Sequence, residues 1–590
     1  MSAPAIAQAR PWRGILPAIA IGAVLIAAAQ MAPGSGYTLN LMMQAVTYAI
    51  AVAGLVVVLG YCGQISLAQA GFLGLGAYGT AIGVVDYHLP FLLALVGGVV
   101  LAGVLGLVLG VASLRLGGHY LAMVTISFQQ ILTLVLTNWI GVTHGPDGVS
   151  GIARPAGFTA GNQYLSLCLA ALVLVTLFAW RLKTSQLGRA MQAVRDNEIA
   201  ASTCGIDIFR TKVAAFGLSA ILGGIGGGLF AGAFAYISPD QFSFAESIVL
   251  LTMALLGGVQ SPFGALLGTG LLVMLPEWLR FLRQVYLAVY GGAVILIMVF
   301  LPDGLWGFAA SRLRRADRGV AGDVAPLPLL SQTGGASDEL VLQIEGLAKH
   351  FGGLKALDGM DIAVRRGTVH ALIGPNGSGK STFINVLTGL YRPTAGRIRF
   401  CGTDITGLAP HLRTRAGLAR TFQNIRVFRG MTVLENVMVG AERPGNDVSG
   451  QPGPVVERAL AALEFVGHRH DALRMVGELS YGHQRHVEIA RALAGNPQTL
   501  LLDEPAAGLN MTEKGELGQL LRRLKGHGLT ILIVDHDMHL VESVADHITV
   551  LNFGRRIADG LPQVVLREPD VIAAYLGAAP DGMKAQHEAA

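Results

Sequence analysis

Ten apolar stretches follow one another through the first 300 residues, at 15–31, 41–59, 65–85, 91–114, 120–140, 164–180, 212–235, 246–259, 263–276 and 286–301. Runs of about 20 apolar residues match the thickness of a bilayer's hydrocarbon core, so each predicts a membrane-spanning helix. The Gly-rich pieces at 65–85 and 257–264 also suit re-entrant segments. From residue 339 the pattern changes to short aliphatic and β-branched runs alternating with amphipathic stretches, the mark of an α/β domain. The expected fold is a polytopic α-helical membrane domain of about ten spans over 1–310, a linker at 311–338, and an α/β domain over 339–590.

Charge divides the chain at the same place. Residues 1–310 carry 21 of the 81 Asp, Glu, Lys and Arg residues, and the remaining 280 residues carry 60. So apolar a stretch needs membrane lipid as its solvent. The loop at 181–212 holds Arg181, Lys183, Arg189, Arg195, Arg210 and Lys212 against Asp196, Glu198 and Asp207, which predicts a cytoplasmic location. Six spans before it and four after place both the N-terminus and the α/β domain in the cytoplasm. Arg280 and Arg283 are left outside in that arrangement. Arg10 and Arg13 before the first apolar run also fit a signal peptide, but the next run follows within about ten residues and favours a retained span. The net charge of +5 lies largely in loops beside apolar segments, which points away from a nucleic-acid partner. Cys62, Cys168, Cys204 and Cys401 stand singly, in neither a disulfide framework nor a zinc pattern.

Glycine is abundant in GFLGLGAYG (71–79) and LGGIGGGLFAG (222–232), where it serves close helix packing or gliding surfaces. Thr125, Gln129, Thr133 and Thr137 recur every four residues and share one helix face. Such a stripe either bonds a neighbouring helix or lines a substrate path. No span carries Lys or Arg at mid-depth, which suits a neutral or zwitterionic small molecule. The segment GRAMQAVRDNEIAASTCGI (188–206) suits a short amphipathic helix, either a solvated linker or a mechanical contact with the α/β domain. The stretch 311–338 opens on Arg312, Arg314, Arg315 and Arg318 and turns Gly-, Ala-, Pro- and Ser-rich, as in a flexible tether.

The α/β half carries phosphate chemistry. HALIG (370–374) runs into Gly374, Pro375, Asn376, Gly377, Ser378, Gly379, Lys380, Ser381 and Thr382, matching GxxxxGK[ST]. Its glycines let backbone N–H groups wrap phosphates at a helix N-terminus. Lys380 pairs with the β- and γ-phosphates of ATP, and Ser381 ligates Mg²⁺. TLLLDEP (499–505) is an apolar strand ending in two acids, with Asp503 placed for Mg²⁺ and Glu504 for the general base.

LSYGHQRHVEIARAL (479–493) resembles the signature motif of ATP-binding-cassette (ABC) ATPases. Tyr481 replaces a glycine and His483 the usual Gln, whereas Ser480 and Gly482 are kept. That resemblance implies an adenine-stacking role for Phe351, a Mg²⁺-sensing Q-loop role for Gln423, a D-loop at AGLN (507–510), and a switch-histidine role for His536. Catalysis then rests on Glu504, His536 and Gln423, with metal contacts from Ser381, Gln423 and Asp503.

DEPAAGLN (503–510), TFQNIRVFRGMTVLENVMVG (421–440) and DVIAAYLG (570–577) are similar to the ATPase of branched-chain amino-acid importers. GYCGQISLAQAGFLGLGAY (60–78), GHYLAMVTISF (118–128), THGPDGVSGI (143–152) and the 188–206 segment resemble the permease of the same systems. The family makes 188–206 a coupling loop, carried here by Glu198, Ala200, Ala201 and Gly205, with Arg195 beside them. Fusion of the two halves departs from the family's separate chains. A signature motif acts in trans, so the resemblance implies a second ATPase subunit, a second permease subunit and an extracytoplasmic substrate-binding protein, in a plasma (bacterial inner) membrane. Urea and short amides remain alternative cargoes. An ABC exporter half would carry long charged cytoplasmic helices, and a mechanotransmitter a large outer domain. The longest expected outer loop here is only 141–163.

Overall fold

The computed structural model describes residues 36–113, 119–279, 286–301, 304–313, 339–442 and 452–576. The expected span at 15–31 and most of the expected tether lie outside the described residues. The chain forms two compact units. Among the described residues, one holds 36–196 with 208–313, and the other joins 339–576 to Asn197–Asp207.

The apolar unit is helical: α1 (Tyr37–Leu55, running on as a π-helical turn to Tyr61), α2 (Gln69–Val85), α3 (Phe91–Ser113), α4 (His119–Asn138), α5 (Gly161–Lys183) and α6 (Gln186–Asp196). After α7 (Glu198–Thr203), which belongs to the other unit, come α8 (Ile208–Phe234), α9 (Phe244–Gly257), α10 (Pro262–Trp278), α11 (Tyr286–Phe300) and α12 (Gly304–Leu313). Strands β1 (Val149–Ser150) and β2 (Tyr236–Ile237) pair antiparallel between them.

Among the described residues five helices are long and apolar enough to cross a membrane, or six if α9 and α10 make one span. The described residues thus do not confirm the expectation of about ten. Helices α9 and α10 meet at 118° across a short break. At 14 residues α9 reaches only about 21 Å, short of the ~30 Å hydrocarbon core. The break is local chemistry: Gly258 takes φ +104°, Ser261 caps α10, and Pro262 opens it. Helix α2 has 17 residues and α11 has 15. Hydropathy counts residues buried against protein as readily as residues facing lipid, and so overcounts spans in a tightly packed bundle. Even in α1 and α8, which are long enough to cross, 78% and 72% of the apolar windows are buried inside the protein.

The bundle closes on glycine. A Cβ on Gly76 of α2 would overlap the carbonyl oxygen of Gly224 on α8, and one on Gly227 would overlap that of Leu73. The two glycine-rich motifs thus face each other with their backbones in contact, the packing that replaces hydrophobic drive in lipid. Gly97 on α3 meets nothing within 4 Å. Gly76→Ala should therefore lower the thermal stability of the detergent-solubilised chain by about 1–3 kcal/mol, the range for overpacking. Gly97→Ala should be neutral or slightly stabilising. Equal melting of the two variants would refute this packing.

The second unit is α/β. Its strands are β3 (Leu340–Phe351), β4 (Leu354–Arg365), β5 (Val369–Ile373), β6 (Ala395–Phe400), β7 (Thr403–Asp404), β8 (Leu418–Arg420), β9 (Thr499–Asp503), β10 (Thr530–Val534), β11 (His547–Asn552) and β12 (Arg555–Gly560). One sheet has the order β12-β11-β5-β10-β9-β8 and the other β4-β3-β6-β7. Strands β5, β9 and β10 are buried along their whole length, as parallel strands covered on both faces must be. One core, with Leu372, Phe383 and Leu501, lies between the sheets. The other, with Val437, Leu463 and Leu521, lies under the helices. Because β5, β9 and β10 are parallel and in register, with Val534 opposite both Leu372 and Asp503, the residues after each strand emerge along one edge. That edge holds the candidate site.

Candidate nucleotide site and the loop that joins it

Strand β5 ends in Gly374 at φ +151°, followed by Gly377 at +81° and Gly379 at +105°, and then α13 (Lys380–Leu387) begins. These positive φ values are open to glycine at little cost. Lys380 Nζ donates to the carbonyl oxygens of Gly374 at 2.6 Å and Pro375 at 2.9 Å. Burial pushes its ammonium below the ordinary lysine range, while the charges of Glu504 and Asp503 oppose that shift. Residues Asn376–Thr382, Glu504 and Leu354–Ala356 line one cleft of about 310 Å³. Ser378 Oγ is buried with no hydrogen-bond partner among the described residues, a hydroxyl suited to a phosphate oxygen.

Glu504 follows β9 at φ +44°, a left-handed conformation that non-glycine residues adopt at a cost and that clusters at functional sites. Its N–H is held by Val534 O at 2.7 Å. Gln423 Nε2 donates to Glu504 Oε2 at 2.8 Å, and His536 Nδ1 stands 3.7 Å from the same oxygen. The structure thus brings together the three residues expected to act in catalysis. Buried Asp535 holds the turn before His536 by accepting from the N–H groups of Ala506, His536 and Asp537. Asp503 pairs with Arg420 at 2.9 Å, with both side chains buried. Arg420 also reaches Asn385 and Thr388. Burial draws its guanidinium below the usual range, and Asp503 opposes this. The carboxylate of Asp503, the hydroxyl of Ser381 and the amide oxygen of Gln423 are hard oxygen donors, a set that fits Mg²⁺.

Ser480 caps the signature helix (Tyr481–Ala494) by accepting from His483 N–H at 3.4 Å. The Tyr481 ring lies over Gly508, so a Cβ there would come within 3.1 Å of it, and a Cβ on Gly482 would overlap the Glu513 carboxylate. Phe351 lies at the end of β3, half exposed and edge-on to Tyr391 at 5.5 Å. It is not among the residues lining the cleft. Sequence reasoning missed three arginines. Arg420 holds Asp503. Arg485 donates to the carbonyls of Phe422 and of Gln423, the latter at 2.7 Å, and Arg491 donates to that of Arg426 at 2.7 Å. Together Arg485 and Arg491 tie the signature helix to the backbone around Gln423. Both also pair with buried Glu488, whose carboxyl is pushed up by burial against their opposing charges. The available signal was a charged residue inside an apolar strand for Arg420, and charges spaced three apart around Glu488 on one helix for Arg485 and Arg491.

Within the same unit, residues 197–207 pack on α14 (Pro410–Arg415). Asn197 caps α7 and accepts from Arg426 at 3.0 Å. Thr414 donates to Thr203 O at 3.1 Å, Arg415 to Gly205 O at 3.2 and 3.1 Å, and His411 stands 3.8 Å from Asp207. Ala200 and Ala201 are fully buried. Glu198 lies in the first turn of α7, whereas Arg195 belongs to the other unit and donates to Gly60 O at 2.7 Å. In the polar stripe of α4, Gln129 donates to Phe242 O at 2.7 Å and accepts from Ser247 at 3.3 Å. Thr125 accepts from Leu67 N–H at 3.1 Å. Thr133 and Thr137 bond back to their own helix and are partly exposed.

A family model described as "Branched-chain amino acid transport system / permease component" matches residues 37–301, and the ABC transporter model matches 357–507. A third, described as "Branched-chain amino acid ATP-binding cassette transporter", matches 555–581. The high-affinity branched-chain amino acid transport ATP-binding protein BraF of Pseudomonas aeruginosa is 44% identical over 251 residues, 40% of this chain and 98% of BraF. The chain belongs to the branched-chain amino-acid ABC transport family.

LivG of Escherichia coli K12, with the same printed role, is 41% identical over 251 residues and the same shares of each chain. An ATP-binding cassette crystallised in its ADP conformation is 38% identical, with a TM-score of 0.38, over 40% of this chain and 99% of that one. In this member of the family a permease and an ATPase form one polypeptide. It is a membrane protein whose ABC domain binds ATP and hydrolyses it coupled to transport. Importers of this family work with partner subunits and a substrate-binding protein.

Proposed function

We propose that the chain is the fused permease–ATPase subunit of a plasma-membrane importer that moves branched-chain or other hydrophobic amino acids into the cytoplasm. In this reading residues 1–310 are the permease, 311–338 the tether and 339–590 the cytoplasmic ATPase. The supporting observation is the cleft that joins the Lys380 loop to Glu504, with Gln423 bonded to that carboxylate. Glu504 takes the proton of the attacking water, and His536 and Gln423 hold the water and γ-phosphate in line. Ser381, Asp503 and Gln423 would hold Mg²⁺, which would neutralise phosphate charge. Ser480 and Gly482 meet the γ-phosphate held by a second ATPase subunit, and Phe351 stacks on adenine. A second permease subunit and an extracytoplasmic binding protein complete the complex.

ATP-dependent uptake of labelled leucine by the assembled complex in proteoliposomes, against urea as competitor, tests the cargo. Uptake of urea but not leucine would assign the chain to the alternative cargo class. Residues 197–207, including Glu198, Ala200, Ala201 and Gly205, transmit the ATPase's motion together with Arg195. Thr133 and Thr137 are the members of the α4 stripe left for the substrate path, since Thr125 and Gln129 serve helix bonds. Arg415→Glu with Arg426→Glu should keep ATP binding yet reduce uptake at least about tenfold. Unchanged uptake would remove the coupling role.

A further inference from the structure

Four histidines gather where the signature helix meets the loop before it. His468 and His470 stand on the loop, His483 and His486 on the first turns of the signature helix. His468 Nδ1 and His470 Nε2 each lie 3.2 Å from Asp471 Oδ2. The three ligand atoms all fall within 4.8 Å of one another. Two donors about 2.0–2.1 Å from a tetrahedral zinc are roughly 3.3 Å apart, so both 3.2 Å separations already match a shared metal. Only the separation between His468 and His470 needs to close. His470 can supply that movement, because its side chain is 72% exposed.

The second nitrogen of His468 completes the argument. Its Nε2 lies 3.1 Å from His486 Nδ1, and its ring centroid lies 4.5 Å from that of His483. Metal-bound histidines use their other nitrogen on an orienting partner. Here that partner is on the signature helix. Asp471 is buried and further held by Arg474 at 2.8 Å, so its carboxylate is fixed before any cation arrives.

We propose that His468, His470 and Asp471 form a binding site for a zinc-class divalent transition metal, linked through His468 and His486 to the signature helix. Without metal, His468 Nδ1–H faces the Asp471 carboxylate, and Nε2 accepts from His486 Nδ1–H. Metal on Nδ1 moves the imidazole proton to Nε2, which then donates to His486 Nδ1. His486 carries its own proton on Nε2. Cation binding at an outlying loop thereby reverses one hydrogen bond at the base of the motif that meets a neighbour's ATP. The site is separate from the nucleotide cleft, and its binding test does not depend on the transport reading.

The test titrates Zn²⁺ into the purified full-length chain against a chromogenic chelator, with Co²⁺ as a spectroscopic probe. One equivalent should bind with micromolar or tighter affinity, and Co²⁺ should give visible bands of a four-coordinate N/O site. His470→Ala should weaken binding at least tenfold, and His539→Ala, on the exposed end of another helix, should not. His468→Gln should abolish it. Should that buried substitution unfold the domain, His470→Ala carries the test, with retained ATP binding as its folding control. No saturable binding, or binding that His470→Ala leaves unchanged, overturns the proposal.

Discussion

Glu504→Gln should bind ATP with near-normal affinity and lose at least about 10²-fold in turnover, the scale of general-base catalysis. The amide keeps the shape of the side chain but cannot take a proton from water. Gln423 donates to Glu504 Oε2, and an amide oxygen at that place still accepts this bond, so the loop geometry should survive. The left-handed backbone at residue 504 belongs to the turn and not to the carboxylate, and should survive as well. ATP binding by fluorescent-nucleotide displacement, with phosphate release under saturating ATP, separates the two effects. Hydrolysis within a few-fold of the parent would sink the assignment of Glu504 as base. Loss of binding would show that the substitution damaged the cleft instead.

Arg420→Met should cost about 3–5 kcal/mol of ATPase-unit stability, because it strands the Asp503 carboxylate as an uncompensated buried charge. The two side chains are 4% and 8% exposed, so water cannot take over the lost partner. Asn385 and Thr388 lose a donor at the same time. Arg420→Met combined with Asp503→Asn should recover much of the stability while leaving hydrolysis impaired, since Asp503 is a candidate metal ligand. The measurement is loss of nucleotide binding by the full chain on heating. A single variant that melts with the parent would mean that the pair contributes little, and a double variant no better than the single would mean that Asp503 is not the stranded group.

The glycine pattern was readable as close packing, and the structure gives it direction, setting Gly76 on Gly224 and Gly227 on Leu73. The span count was less readable. Apolar residues are needed both against lipid and against other helices, so α9 and α10 look like two spans in one dimension and form a bent pair in three. The polar stripe of α4 shows the same limit. Four-residue spacing placed Thr125, Gln129, Thr133 and Thr137 on one face, but only the neighbouring Phe242 carbonyl and Ser247 hydroxyl decide that Gln129 is a brace.

The chemistry expected of the nucleotide half was legible along the chain, because a phosphate loop, a strand ending in two acids and a signature helix impose local constraints on residue type and spacing. The sequence by itself also determined that the first half belongs in lipid, since charge is excluded there whatever the fold. Tertiary structure alone decided what those residues touch. It set Gln423 and His536 against one oxygen of Glu504, buried Arg420 on Asp503, placed residues 197–207 on the helix that ends in Arg415, and drew four histidines from two segments together. These contacts join positions far apart along the chain. Spacing constrains only neighbours, and nothing local in the sequence states which distant surface a side chain will meet.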